Sequence, residues 1–226
     1  MTRPAIEDLA SMVTVRPNLH FAWVCGTPIF LDLSAGRYFL LSGNAAAHFT
    51  AFAAGQAMPA DIKSLLQLNI LVDGPGIPES RQDIPSARSS YIDAAIAPAS
   101  MTMLARAIAL QTVHSFLLAR RGLSKTLDVA KAAQTRPGFP YRSSTKIDEA
   151  VVASAFFHAQ RIFPSANKCL PRSFAIADLL RRTGHRPTIV IGVQLPFAAH
   201  CWVQCEDRLV SDPLERVGTF VPILAA

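Results

Sequence analysis

The chain has 226 residues, of which 50% are hydrophobic and 17% are charged, a composition that can form a substantial buried core and excludes disorder along most of its length. Its net charge of +6 is unevenly divided, since residues 1–75 hold four basic and five acidic residues and the remainder holds 18 basic and 11 acidic ones. The near-neutral first third argues against nucleic-acid binding there, because phosphate groups need a surplus of Lys and Arg.

The start of the chain predicts no secretory signal, because residues 1–8 contain no long apolar run behind a basic end. We therefore expect a cytoplasmic protein whose four cysteines remain thiols. Residues 21–25 and 28–33 are β-rich and are separated by Gly26-Thr27, which predicts a hairpin that includes Cys25 in a core strand. Residues 37–41 supply a third strand of the same small antiparallel sheet.

Two helices are predicted after this sheet. Ser42 or Asn44 can cap the first, which Gly55 can end, and Pro59 opens the second. The apolar face of the second helix consists of Ile62, Leu65, Leu66 and Leu68. The order β-β-β-α-α is typical of a compact winged-helix-like domain, which we place at residues 1–75.

Residues 76–95 are predicted to be a linker, because Gly, Pro and Ser are frequent there and apolar residues are few. The second domain, residues 96–226, begins with a helix that ends near Gly122, and further helices are expected over residues 127–133 and 150–163. The apolar stretch at residues 94–118 predicts no membrane span, because Pro98, Arg106, Gln111 and His114 interrupt it.

Cys169 lies where a further helix should begin, since Pro171 favours the first helical turn and Arg182-Thr183-Gly184 forms a conventional end. The positive end of a helix dipole lowers the pKa of a thiol, and the first N–H groups of a helix can stabilise an oxyanion. Considered alone, however, Cys169 fits a buried structural thiol better than a nucleophile.

His200 belongs to a predicted strand, in which alternate residues face opposite sides. His200 therefore shares a face with Trp202 and Gln204, whereas Cys201 and Cys205 face the other side, so a zinc site that combines His200 with these two cysteines is disfavoured. A hairpin turn near Cys205 with an odd number of loop residues would place Asp212 on the face of His200, and a two-residue loop would separate the pair.

A nucleophile, a base and an orienting carboxylate thus occur in the order Cys169, His200 and Asp212. In this interpretation Asp212 fixes the imidazole tautomer and His200 accepts the proton of Cys169, as in papain- or transglutaminase-like cysteine enzymes. Oxyanion donors remain unassigned among Gln194, Asn167 and Ser173. His185 is placed at the surface. Four arginines are interpreted as a solvated surface rather than as substrate contacts: Arg172, Arg181, Arg182 and Arg186.

The motifs of the second half together resemble those of the lasso peptide B proteins, which are transglutaminase-like cysteine peptidases. They are Arg121-Gly122-Leu123, Cys169-Leu170-Pro171-Arg172-Ser173, Arg182-Thr183-Gly184-His185, residues 196–203 and Ser211-Asp212. The resemblance covers about residues 100–226. Two positions depart from it: Cys201 stands where Ala is usual, and Gln204 stands where Glu is common.

Residues 1–75 resemble the peptide-recognition domain of ribosomal peptide modification pathways. That resemblance implies that the leader of a precursor peptide adds as a strand to the edge of the sheet. The substrate-binding residues would be those of the third strand and of the adjacent helix: Arg37, Tyr38, Phe39, Leu40, Leu41, Ile62, Leu65 and Leu66.

Together, the two resemblances imply an α+β leader peptidase with recognition and cleavage domains in one chain. They imply no cofactor in this chain and, as partner, an asparagine-synthetase-like cyclase that uses ATP to close a macrolactam. Neither nucleic acid nor a membrane span is expected. Two alternatives stay open, a catalytically silent peptide-delivery module and an acyl transferase of the transglutaminase type.

Overall fold

The computed structural model describes residues 13–74, 84–135, 147–162 and 168–226. The chain consists of two compact units, Met1–Gln82 and Asp83–Ala226. Both combine helices with antiparallel strands, so the predicted α+β class is confirmed for the described residues.

The first unit contains a three-stranded antiparallel sheet followed by two helices. The sheet has the order β2 (Leu19–Val24), β3 (Thr27–Asp32) and β4 (Arg37–Leu40), and the helices are α1 (Gly43–Ala53) and α2 (Pro59–Gln67). This part confirms the predicted β-β-β-α-α order. Two strands of three residues each, β1 (Val13–Val15) and β5 (Leu71–Asp73), pair with one another and were missed because they are too short to show a period.

A two-residue turn joins β2 to β3. Val24 pairs with Thr27, and Cys25 and Gly26 between them have positive φ angles of 49° and 77°, as the favoured type I′ hairpin turn requires. The expectation that Cys25 lies in a core strand is therefore wrong, because Cys25 is exposed in the turn.

The core of the first unit is aromatic. The Phe49 ring lies 5.0 Å from the Phe21 ring and 4.8 Å from the Phe30 ring, measured between centroids. Ile62 and Leu65 of α2 are buried in the same cluster. Helix and sheet therefore bury their apolar faces against each other, which is where most of the stability of so small a unit originates.

The second unit contains a five-stranded sheet. In spatial order its strands are β10 (Val221–Ala225), β7 (Thr188–Gln194), β8 (Ala198–Cys205), β9 (Arg208–Leu209) and β6 (Ser89–Ser90). All pairs are antiparallel except β6 with β9. Because β6 lies within the expected linker, part of that segment is integrated into the second unit.

The helices in the described part of this unit are α3 (Met101–Thr135), α4 (Glu149–Ile162), α5 (Cys169–Arg182) and α6 (Leu214–Val217). Helix α3 is interrupted at Gly122, whose φ of 74° and ψ of 174° are not helical, so the predicted end at this glycine is observed, although helix resumes sooner than expected. Among the described residues, one segment, Met101–Ala132, has the length and composition of a membrane span, a test that core helices of soluble proteins also pass.

Helix α5 is the central helix of the second unit. It packs against α3, α4 and β8, and its middle is almost entirely buried, from Arg172 to Ala177 and again at Leu179 and Leu180. This packing fixes the first turn of α5, and with it Cys169, beside β8.

Candidate active site

Cys169 is the first residue of α5 and is partly buried. Burial alone raises the pKa of the thiol, but His200 and the backbone N–H groups of Cys201 and Leu170 stabilise the thiolate, and the pKa is lowered overall. The helix start predicted from Pro171 thus places a thiol in surroundings that favour its ionised form.

His200 lies in β8, directly opposite Gly192 of β7, and its ring is 5.4 Å from the Phe220 ring. Its Nε2 atom is 3.0 Å from Asp212 Oδ1, although the ring N–H is not aligned with an acceptor, so the contact is an ion pair. Burial lowers the pKa of His200, but Asp212 and Cys169 outweigh it and the pKa is raised. Both pKa shifts therefore act towards the same pair of states, a charged imidazole and a thiolate.

Asp212 reaches His200 by a route that the strand pattern does not predict. The turn between β8 and β9 has two residues, because Cys205 pairs with Arg208. If β9 continued, this register would place Asp212 opposite Cys201, on the wrong face. The pair nevertheless forms, because β9 ends at Leu209 and the chain bends over residues 210–212.

The Asp212 carboxylate is almost completely buried and accepts two further contacts. Arg172 Nη2 donates to Oδ1 at 2.9 Å, and the Ser211 hydroxyl donates to Oδ2 at 2.6 Å. Burial opposes the charge, but His200, Arg172 and Ser211 hold the pKa of Asp212 well below its usual range. The carboxylate is therefore ionised throughout the neutral range.

Arg172 is not on a solvated helix face, and that expectation is wrong. Its side chain is 8% exposed; besides Asp212, the guanidinium contacts Gln160 Oε1 through Nη1 and the Ser211 carbonyl through Nη2. The sequence signal for this role was its position three residues after Cys169, which places both residues on one helix face. Arg182 and Arg186, in contrast, are not buried.

The three candidate oxyanion donors differ in their surroundings. The Ser173 hydroxyl already donates to the Cys201 carbonyl at 3.0 Å, Asn167 lies outside the described residues, and Gln194 is at the end of β7, opposite Ala198. The backbone N–H groups of Leu170 and Cys201 contact the sulfur instead, and side-chain reasoning could not have found them.

His185 is part of a separate polar cluster and is not a surface residue. Its Nδ1 atom is 3.0 Å from Glu149 Oε1, and Tyr91 donates to the same carboxylate at 3.0 Å. A cavity of about 490 Å³ adjoins this cluster and is not lined by Cys169 or His200. Burial and the neighbouring Glu149 raise the pKa of Cys205, at the same cavity, to about 12. The neutral Cys205 thiol is therefore a poor alternative nucleophile.

The two departures from the lasso peptide B pattern are both buried. Burial raises the pKa of the Cys201 thiol strongly, so that it stays neutral. Gln204 donates to the carbonyls of Pro85 and Glu206 at 2.8 and 2.7 Å and accepts from Trp202 at 3.1 Å, so its amide is used structurally.

Within the described ranges, no three His, Cys, Asp or Glu side chains are grouped as metal ligands.

The structure divides the expected substrate-binding residues of the first unit. Arg37 and Leu40 are exposed, and Tyr38, Phe39, Leu41 and Leu66 are partly buried. Ile62 and Leu65, however, are only 1% and 0% exposed, because they fill the core between helix and sheet. The expectation that these two residues contact a peptide is therefore corrected: they pack in the core.

Comparison with known proteins identifies one family. Residues 109–225 match the description "Transglutaminase-like superfamily", a range that includes Cys169, His200 and Asp212. The chain matches no curated protein and no solved structure. Because the match covers more than half of the chain and the mixed α+β unit contains it, the protein belongs to the transglutaminase-like superfamily.

Proposed function

We propose that this protein is a cysteine peptidase of lasso peptide biosynthesis that binds a ribosomal precursor peptide through its leader and cleaves the leader from the core. The observation that carries the proposal is the convergence of Cys169, His200 and Asp212, in which the thiol pKa is lowered and the imidazole pKa is raised. Superfamily membership is consistent with peptidase or acyl-transfer chemistry. The lasso peptide assignment depends on the motif resemblance.

Cleavage in this proposal proceeds through an acyl-enzyme. The Cys169 sulfur bonds to the scissile carbonyl carbon, and its proton passes to His200. The imidazolium then protonates the leaving amine as the C–N bond breaks, which frees the core peptide. His200 next takes a proton from water, the hydroxide attacks the thioester, and the proton returns to sulfur as the leader carboxylate departs.

The surrounding groups have defined parts in this scheme. Asp212 stabilises the imidazolium through Nε2, which leaves Nδ1 for the proton exchange with sulfur. The Cys201 and Leu170 N–H groups lie near the sulfur and are the donors that we assign to the oxyanion. One such donor can be worth about 3 kcal/mol of barrier.

Leader binding is assigned to the outer edge of β4, which pairs with no further strand among the described residues. In the β2–β3–β4 sheet the register alternates, so that Phe39 and Arg37 bond to β3 while the N–H group of Leu40 points to the open edge. An extended peptide can use that edge by adding a fourth strand. We further propose that the protein acts in the cytoplasm, needs no cofactor of its own and passes the core peptide to an ATP-using cyclase.

The first test follows the mass of a precursor peptide incubated with the full chain under reducing conditions. We expect two fragments whose masses sum to the precursor plus one water, and none with Cys169→Ala. An intact precursor that still binds the wild-type protein would instead identify a silent delivery module. A leader fragment that carries an added amine would identify an acyl transferase.

The second test addresses the β4 edge. Leu40→Pro removes the outward N–H group, so we expect leader affinity to fall about tenfold, which corresponds to about 1.4 kcal/mol. Leu40→Ala is the matched control, because it shortens the same exposed side chain but retains the N–H group. Fluorescence anisotropy with a labelled leader and the Cys169→Ala protein measures both; equal affinities would contradict binding at this edge.

A further inference from the structure

The triad carboxylate of this chain is not placed by its strand. The register of β8 with β9 directs position 212 towards the face of Cys201. Asp212 meets His200 because the chain leaves this register after Val210, whose N–H group still donates to the Val203 carbonyl at 2.9 Å. Another group must therefore hold this bend in the conformation that brings the carboxylate to the imidazole.

Arg172 makes the contacts that such a group requires. Its Nη2 atom donates to both Ser211 O and Asp212 Oδ1, each at 2.9 Å, and Nη1 is anchored on Gln160 of α4. One planar guanidinium thus joins the backbone of the bend, the triad carboxylate and a neighbouring helix. Arg172 also lies one helical turn after Cys169, so it links the nucleophile helix to the carboxylate.

We propose that Arg172 is a positioning residue that acts through Asp212, holding its carboxylate against His200 in place of the strand pairing that the bend has lost. The catalytic meaning of this role rests on the proposed peptidase function, whereas the effect on Cys169 ionisation does not. Planarity and the fork of donors, rather than charge alone, are what the role needs.

A second arginine makes it possible to distinguish the positioning effect of Arg172 from the effect of its charge. Arg216 Nη1 is 3.8 Å from the same Oδ1 atom, but its side chain is 55% exposed, so solvent screens its charge. Arg216→Gln is therefore the control variant, because it removes a positive charge near Asp212 and leaves Arg172 in place. Arg172→Lys makes the complementary change, because it keeps the charge and loses the fork.

The experiment measures iodoacetamide alkylation of Cys169 against pH in the full chain, with the modified cysteine identified by peptide mass. For Arg172→Lys we expect a tenfold or greater loss of alkylation rate near neutral pH. Without Arg172, Asp212 no longer stabilises the His200 imidazolium, and the Cys169 thiolate loses the stabilisation that this imidazolium provides. Arg216→Gln should stay within about twofold of wild type. A normal profile for Arg172→Lys, or an equal loss for both variants, overturns the proposal.

Gln160→Met provides an independent route should the lysine variant fail to fold. It leaves Arg172 in place and removes the anchor of Nη1, so we expect a smaller displacement of the alkylation profile in the same direction. An unchanged profile in a folded Gln160→Met protein would contradict the anchoring role.

A double-mutant cycle shows whether Arg172 acts through Asp212. The alkylation loss in Arg172→Lys with Asp212→Asn should be no larger than in Asp212→Asn alone; additive losses overturn the proposal. With a cleaved precursor, Arg172→Lys should lower kcat with little change in KM, since leader binding is assigned elsewhere. If wild-type protein cleaves no precursor but the alkylation results hold, the proposed function fails and the positioning role stands.

Discussion

The ionisation of Cys169 depends on a balance between two opposite effects at one atom. Burial favours the neutral thiol, whereas the imidazole and two backbone N–H groups favour the thiolate. The second effect prevails, and the pKa of His200 is raised at the same time. Both shifts therefore increase the population of the thiolate–imidazolium pair relative to the neutral pair.

Replacement of His200 by Gln should reverse this balance. Burial of the thiol remains while its strongest stabiliser is lost, so the pKa of Cys169 rises. Alkylation at a pH below that pKa then slows by about tenfold whenever the pKa climbs by about one, because the thiolate fraction falls in proportion. Rates measured from mildly acidic to alkaline pH locate the new pKa directly. A variant profile that still begins to rise at acidic pH would mean that the helix start alone ionises the thiol.

The three residues that converge at the candidate site could be predicted from the sequence, but the groups that hold them in place could not. Cys169, His200 and Asp212 carry distinctive chemistry in a distinctive order, whereas the reason that Asp212 reaches His200 lies in a bend and in a buried arginine. A long basic side chain is usually solvated, and only its tertiary partners reveal the exception. The same holds for backbone N–H donors, which every residue except proline carries.

At the level of elements, the packing of aromatic side chains against β7 and β8 depends on one glycine. Gly192 lies opposite His200, and a Cβ atom there would stand 2.6 Å from Trp202 Cζ3 and 2.9 Å from Phe220 Cβ. The Trp202 and Phe220 side chains therefore occupy the space that any other residue at position 192 would need. These are also the rings that pack beside the imidazole.

Gly192→Ala should consequently destabilise the protein by about 1–3 kcal/mol, since overpacking a filled site has this cost. Gly218→Ala is the matched control, because its Cβ would come no closer than 3.4 Å to any atom and its φ of −59° suits any residue. Urea unfolding measures both. Similar midpoints for the two variants would show that the rings move aside freely.

Longer elements were predicted more accurately than short ones. The hairpin of β2 and β3, and helices α1, α2, α4 and α5, follow from period, turn and capping signals. Strands β1, β5 and β6 have two or three residues each, too few for a period to be recognised. Their pairing is decided by distant segments, which local sequence does not specify. Strand β9 was expected as the partner of β8 in a hairpin, but it ends at Leu209, before Asp212.

At the scale of the whole molecule, sequence composition indicated two parts but misplaced the limit of the second. Pro, Gly and Ser suggested a linker as far as residue 95. The structure gives the second unit residues from Asp83 onward, because Ser89–Ser90 pair with β9. A strand of two residues has no compositional signature, so the segment resembled a spacer.

The Ser90 hydroxyl donates to the backbone carbonyl of Asp212 at 2.7 Å, and the Tyr91 N–H group donates to the Leu209 carbonyl at 3.0 Å. An excised fragment that starts at residue 96 would therefore lose two hydrogen bonds to the segment that carries Asp212, although it would retain Cys169, His200 and Asp212. A fragment that starts at residue 84 keeps both hydrogen bonds. The compact unit that contains the transglutaminase-like match thus begins well before residue 109, at which that match starts.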